Sequence, residues 1–212
     1  MFTGVNLTCE RGGRTVFRRL DFRLEPGGAL VLTGPNGSGK SSLLRLMAGL
    51  IRPTVGRVAW DGASIADEPE AHGSRLHYVG HLDAAKPLLT AAENLSFWLG
   101  LGAASTPGNT RDALAVFGLD SLATTPVRYR SAGHRRRLAL ARLAGRPASL
   151  GLLDEPATSL DRAAREALQA AIVRHRAGRG MVIAASHGEL QIAGAETLAL
   201  DRFQPTAGGA SR

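Results

Sequence analysis

The run Gly34-Pro35-Asn36-Gly37-Ser38-Gly39-Lys40-Ser41 brings glycines, one ammonium and one hydroxyl together in the spacing G-x-x-x-x-G-K-[ST]. That spacing suits a loop that wraps phosphate groups. Glycines let the backbone curl tightly, so that its N–H groups can face anionic oxygens. Lys40 would reach the β- and γ-phosphates, and Ser41 would offer its hydroxyl to Mg²⁺. A helix opening at Lys40, Ser41 and Ser42 would add its positive dipole end. Lys40 and Lys86 are the only lysines in an arginine-dominated chain, which argues against a chance Gly-Lys-Ser.

Two further stretches carry chemistry. Leu152-Leu153-Asp154-Glu155-Pro156 places adjacent carboxylates at the end of an apolar run. On a strand beside the phosphate loop, Asp154 would hold Mg²⁺, directly or through water, and Glu155 would orient and deprotonate an attacking water. Ser186-His187 follows the apolar run Met181–Ala185. His187 there could donate a hydrogen bond to a γ-phosphate, and position is the whole argument for it.

These groups need strands to deliver them. Ala29 to Thr33, Leu76 to Val79, Ser149 to Leu153 and Met181 to Ala185 are short, apolar, β-branched or bounded by turn residues, as buried strands are. Thr197 to Leu200 is a candidate last strand. Ahead of them, Val5 to Cys9 and Thr15 to Leu24 read as strands. Alternation in Leu20-Asp21-Phe22-Arg23-Leu24 points to an antiparallel sheet with one wet face. Arg57 to Trp60 is a strand closed by the hairpin signal Asp61-Gly62.

Between about residues 84 and 144 strand signals vanish. Thr90-Ala91-Ala92-Glu93 has the capping-box pattern and predicts a helix through Trp98. Arg111 to Phe117 and His134 to Ala144 predict two more. Phe97 and Trp98 are expected in the core of this helical part. A long helix is predicted from Asp161 to Ala177. Gly100 to Asn109 has the composition of a mobile loop, and Gln204 to Arg212 that of a frayed tail.

The chain has 212 residues and a net charge of +8, enough length for one domain with inserted parts. The positive charge is expected to be spread over solvated faces, the one tight basic run being Arg135-Arg136-Arg137. The single cysteine, Cys9, excludes an intramolecular disulfide and a zinc cluster. The first residues lack the basic and apolar regions of a signal peptide. Leu95 to Ala104 is the longest apolar run and is far short of the ~20 residues a membrane span needs.

Taken together, these motifs resemble the ABC-type ATPases, the nucleotide-binding domains of ATP-binding cassette systems, over nearly the whole chain. Beyond the phosphate loop and Asp154-Glu155, Ser131-Ala132-Gly133-His134-Arg135-Arg136 is similar to the signature L-S-G-G-Q. Ser159-Leu160-Asp161 is similar to the D-loop, and His187 to the switch histidine. The resemblance implies an α/β fold of the P-loop NTPase, ABC ATPase type: a mixed-sheet core with an antiparallel β subdomain and a helical subdomain, in a single domain spanning 1–212. It implies ATP and Mg²⁺ as ligands and two such domains pairing head to tail. Each ATP would then lie between Gly34 to Ser42 of one copy and Ser131, Gly133 and Asp161 of the other.

Three departures stand out. Arg130 and His134 occupy the first and last signature positions. Leu82, in Gly80-His81-Leu82-Asp83, occupies the place of the family's glutamine. Leucine can touch neither Mg²⁺ nor the attacking water, so His81, Asp83 or a water must substitute. Arg11 stands where an aromatic usually stacks on adenine; a guanidinium can stack on a base, and Phe17 is a second candidate.

Within the family, Cys9 to Arg14, Tyr78 to His81, Lys86 to Trp98 and His134 to Leu143 resemble the ATP-binding proteins of bacterial heme export and cytochrome c maturation. That resemblance implies an inner-membrane permease subunit as partner, a peripheral place on the cytoplasmic face of the inner membrane, and no nucleic acid. Alternatives are the ATPase of another small exporter, a soluble ABC protein of DNA repair or translation, and a catalytically dead binding module. The second lacks its coiled-coil insertion or second cassette here, and the third is opposed by Glu155 and His187.

Overall fold

The structure, a computed structural model, describes residues 1–100, 110–186, 188 and 190–205. Strands β1 (Phe2–Arg11), β2 (Arg14–Leu24), β4 (Val55–Trp60) and β5 (Ala63–Ser64) form an antiparallel sheet in the order β2-β1-β4-β5. Between β2 and β4 the chain leaves this sheet for β3 (Ala29–Thr33) and helix α1 (Lys40–Met47). The β4–β5 hairpin turns on Asp61 and Gly62, at φ 46° and 90°. Two left-handed residues in succession match the twist of the flanking strands.

Helix α2 (Pro69–Ser74) then leads into β6 (Leu76–Val79). Six residues with proline in the first turn are too few for a helical period to show, and this helix escaped the sequence reading. The helical part holds α3 (Ala91–Gly100), α4 (Thr110–Val116), α5 (Ala132–Leu140) and α6 (Arg142–Gly145). After it come β7 (Leu150–Asp154), α7 (Arg162–Ala177), β8 (Met181–Ala185) and β9 (Glu196–Ala199). The helix expected over His134–Ala144 begins earlier, on the cap Ser131, and is divided at Ala141. The loop expected at Gly100–Asn109 and the tail expected at Gln204–Arg212 fall almost wholly outside the described residues.

Strands β6-β7-β8-β3-β9 form a wholly parallel sheet. Its three central strands, β7, β8 and β3, are apolar on both faces because both faces are covered. Leu150 and Leu152 of β7, with Met181, Ile183 and Ala185 of β8, join α1 and the antiparallel sheet in one apolar cluster. Leu153, Val182 and Ala184 point the other way, into a cluster with α7 and the helical part. The two-residue period of a strand divides the molecule into two cores. Strand β8 lies between β7 and β3, so the ends of β3 and β7 are one strand apart.

The capping box is present in full. The Thr90 amide donates to Glu93 Oε2 at 2.7 Å, and the Glu93 amide donates to Thr90 Oγ1 at 3.2 Å. The Phe97 and Trp98 pair divides. Trp98 packs on the helical core with the Arg142 guanidinium 3.6 Å from its ring centre, whereas Phe97 is 43% exposed beneath Lys86 Nζ. Helix α3 is apolar on too broad an arc for the core to cover all of it.

Candidate nucleotide site

Strand β3 ends at Thr33 and the loop 34–39 turns the chain into α1. Gly34, Gly37 and Gly39 have φ of 137°, 81° and 102°. At Gly39 a Cβ would also lie 2.6 Å from Val16 Cγ1, so this position excludes a side chain twice over. Ser38 is fully buried, beneath Gly34. Pro35 accepts from the Ser38 amide at 3.2 Å, which closes the loop into a cradle. Lys40 Nζ donates to the Gly34 and Pro35 carbonyls at 2.8 and 3.2 Å, holding the ammonium over the loop's centre. The amides of Lys40, Ser41 and Ser42 open α1 and have no intrahelical acceptor, as in any first turn.

Asp154 ends β7 and is buried. Its Oδ1 accepts from Ser41 Oγ at 3.1 Å. Its Oδ2 is buried with no hydrogen-bond partner among the described residues. A buried carboxylate oxygen with no partner beside a hydroxyl is a donor set that fits Mg²⁺, which takes one or two protein oxygens and fills its shell with water and phosphate. Glu155 follows at φ 48°, a conformation costly for a side-chain-bearing residue. It is held by its own backbone: its amide donates to Ala185 O at 3.1 Å and its carbonyl accepts from Arg136 Nη2 at 2.8 Å.

These residues line one cleft of about 560 Å³ with Arg11, Val16, Asn36, Gly37, Ser38, Gly39, Lys40, Ser41, Ser42, His81, Asp154, Glu155 and Thr158 on its walls. Arg11 lines the cleft and is exposed. Phe17 is fully buried and cannot receive a base; Val16, its neighbour on the alternate face, reaches the cleft instead. His187 lies outside the described residues. The Ser186 amide nevertheless donates to Leu32 O at 3.2 Å, which holds the chain after β8 against the phosphate-loop strand.

Ser131, Gly133 and Asp161 are not on this cleft. Ser131 caps α5, accepting from the His134 amide at 3.2 Å, and its hydroxyl lies 2.8 Å from His134 Nδ1. A Cβ on Gly133 would stand 2.9 Å from the Ser159 carbonyl, so the signature stretch packs against the start of the Ser159-Leu160-Asp161 loop. Asp161 caps α7 through Oδ1, which accepts from the Ala164 amide at 2.8 Å. Burial and nearby Arg137 and Arg130 hold the His134 imidazole below its usual range.

Arg136, the middle of the one tight basic run, is an exception to the expectation that the positive charge lies on solvated faces. Its side chain is 4% exposed. Nη1 donates to Gly80 O at 2.7 Å and to Asp83 Oδ1 at 3.2 Å; Nη2 donates to the Asp154 and Glu155 carbonyls. Charge runs carry no burial signal, because only packing shows which member of Arg135-Arg136-Arg137 turns inward. Asn94 was also missed; it is buried, and its amide group ties together the backbone of Lys86, Leu89 and Thr90.

The ABC transporter family profile matches residues 17–158. This chain belongs to the ABC transporter family. Within it, the chain is 55% identical to the cytochrome c biogenesis ATP-binding export protein CcmA of Rhodospirillum rubrum, across 97% of this chain and 88% of that one. It is 52% identical to the CcmA of Paramagnetospirillum magneticum, across 95% and 94%. In fold it is similar to a putative ABC transporter ATP-binding protein from Pyrococcus furiosus, with a TM-score of 0.82, 20% identity and coverage of 96% and 99%. No helix of the described residues is long and apolar enough to cross a membrane.

Proposed function

We propose that this chain is the ATP-hydrolysing subunit of a bacterial export complex for cytochrome c biogenesis, coupling ATP turnover to heme export or release of the heme chaperone. One observation carries the reading. Lys40, Ser41, Asp154 and Glu155 meet on one cleft in an ABC-family chain that is 55% identical to a CcmA protein.

The loop amides of Gly34 to Ser42 and the Lys40 ammonium bind the phosphates, and Arg11 stacks on the adenine. Ser41 and Asp154 would hold Mg²⁺, which would supply positive charge beside the phosphates. Glu155 accepts the proton of the attacking water, and His187 donates to the γ-phosphate. Ser131, Gly133 and Asp161 lie off this cleft because they serve the ATP of a second copy paired head to tail. The whole chain, 1–212, acts as one ATP-binding domain with the helical part inserted. Its membrane partner is a permease subunit, which places the chain peripherally on the cytoplasmic face of the inner membrane; nucleic acid has no part in the reaction.

Lys40→Ala tests the reading. The variant complex is expected to lose ATP turnover, and cells carrying it to lose mature c-type cytochromes. Wild-type turnover in the variant removes the ATPase assignment. Lost turnover with normal cytochromes leaves the ATPase and removes the heme role.

A further inference from the structure

The segment between β6 and α3 crosses the cleft in an order that the family's glutamine pattern does not describe. Leu82 is 82% exposed and lines only a neighbouring groove, with Asp83, Pro87 and Arg128, whereas His81 stands between that groove and the nucleotide cleft. Asp83 is turned away from the nucleotide cleft, its carboxylate taken by Arg136. Of Gly80, His81, Leu82 and Asp83, His81 alone lines the cleft that holds Ser41, Asp154 and Glu155.

We infer that His81 is a catalytic residue standing in for the absent glutamine, and that the Asp83–Arg136 ion pair positions it. The inference rests on the ATPase reading above. A neutral imidazole has one N–H donor and one ring acceptor. It can therefore donate to a γ-phosphate oxygen or accept from the attacking water, the two offices of a carboxamide that leucine cannot perform. The groups that share the cleft with it are Lys40, Arg11, Asp154 and Glu155.

The positioning is built from arginines of α5 and α6. Arg136 Nη1 holds Gly80 and Asp83, the residues on either side of His81-Leu82. Arg142 Nη1 and Nη2 hold the Tyr78 and Asp83 carbonyls at 3.1 and 3.4 Å. Both ends of the short arch are thus fixed, and only His81 and Leu82 lie between. Arg136 Nη2 meanwhile fixes the carbonyls of Asp154 and Glu155. One guanidinium therefore sets the His81 arch and the carboxylate strand end relative to each other.

The experiment uses the full chain co-purified with its membrane partner, reading kcat and KM for ATP, Mg-ATP affinity by titration, and melting temperature. His81→Ala is expected to lower kcat roughly 10- to 100-fold while KM and affinity stay within about twofold. His81→Gln is expected to recover kcat to within a few-fold of wild type, and Leu82→Ala to match wild type. Asp83→Asn, which keeps shape and removes charge, is expected to lower kcat several-fold at unchanged KM when assayed well below its melting temperature, which should itself fall because the buried Arg136 loses its counter-charge. Wild-type kcat in His81→Ala overturns the inference, as does His81→Gln as slow as His81→Ala. Wild-type kcat in Asp83→Asn overturns the positioning role. A wild-type complex without ATP turnover overturns the ATPase reading and takes this inference with it.

Discussion

Glu155 shows how a single residue can be prepared for the task proposed for it. It sits in the left-handed region at φ 48°, yet its amide and carbonyl are both claimed, by Ala185 and Arg136. Those two backbone bonds hold the residue in this conformation and offset its strain. A change confined to the carboxylate should leave the site's shape intact. Glu155→Gln is expected to keep ATP affinity while lowering turnover by roughly 10²- to 10⁴-fold, the loss typical of a general base. With hydrolysis blocked, an ATP-bound dimer should accumulate on size-exclusion chromatography. Normal hydrolysis by a monomeric variant would show that another group is the base.

At the scale of the element, the helix caps are set by short polar side chains that the family resemblance assigns to nucleotide. Ser131 caps α5 and Asp161 caps α7. Asp161 Oδ1 satisfies an orphan amide of α7's first turn, and its other oxygen lies 3.8 Å from Arg137 Nη2. Replacing a capping aspartate by alanine costs about 1 kcal/mol, while asparagine caps as well. Asp161→Ala is expected to lower the denaturation midpoint accordingly, and Asp161→Asn to leave it unchanged. ATP turnover of Asp161→Asn in the dimer separates the two roles: slowed turnover at full stability assigns the charge to the partner's ATP, and unchanged turnover leaves Asp161 a cap.

At the scale of the whole molecule, the acid limit of stability follows from its buried histidines. His77 lies on β6, the parallel sheet's edge strand, with Nε2 2.9 Å from the Arg146 carbonyl. Burial first, with Arg146, His175 and Arg142 nearby, lowers its pKa from 6.5 to about 4. Burial lowers His72 and His175 in the same direction. For a base whose folded pKa is depressed, the unfolded chain binds the proton first. Stability is therefore complete above about pH 6.5 and falls as pH drops toward 4, with His77 contributing up to roughly 3 kcal/mol of the loss. Urea midpoints measured from pH 7.5 to 4.5 should fall through this window, and His77→Gln should flatten the slope. A flat wild-type profile would mean that the folded chain takes up these protons as readily as the unfolded one.

The sequence by itself determined the parts whose signal is local. The phosphate loop needs glycine at fixed positions, so Gly34 to Ser41 reads off the chain and the structure finds three left-handed glycines there. Strands β3 and β8 were legible to the residue, since a strand covered on both faces is a continuous apolar run. The capping box at Thr90 was legible because its two partners are three residues apart. What depends on residues far apart in the chain was decided by tertiary structure alone. Nothing in Arg135-Arg136-Arg137 says that the middle guanidinium is buried against carbonyls 18 and 19 residues onward and an arch more than 50 residues back. Nor could spacing choose among His81, Asp83 and water as the glutamine's substitute. The structure shows Arg136 drawing Asp83 aside, since a buried cation must be paired, and His81 alone of residues 80–83 lining the cleft.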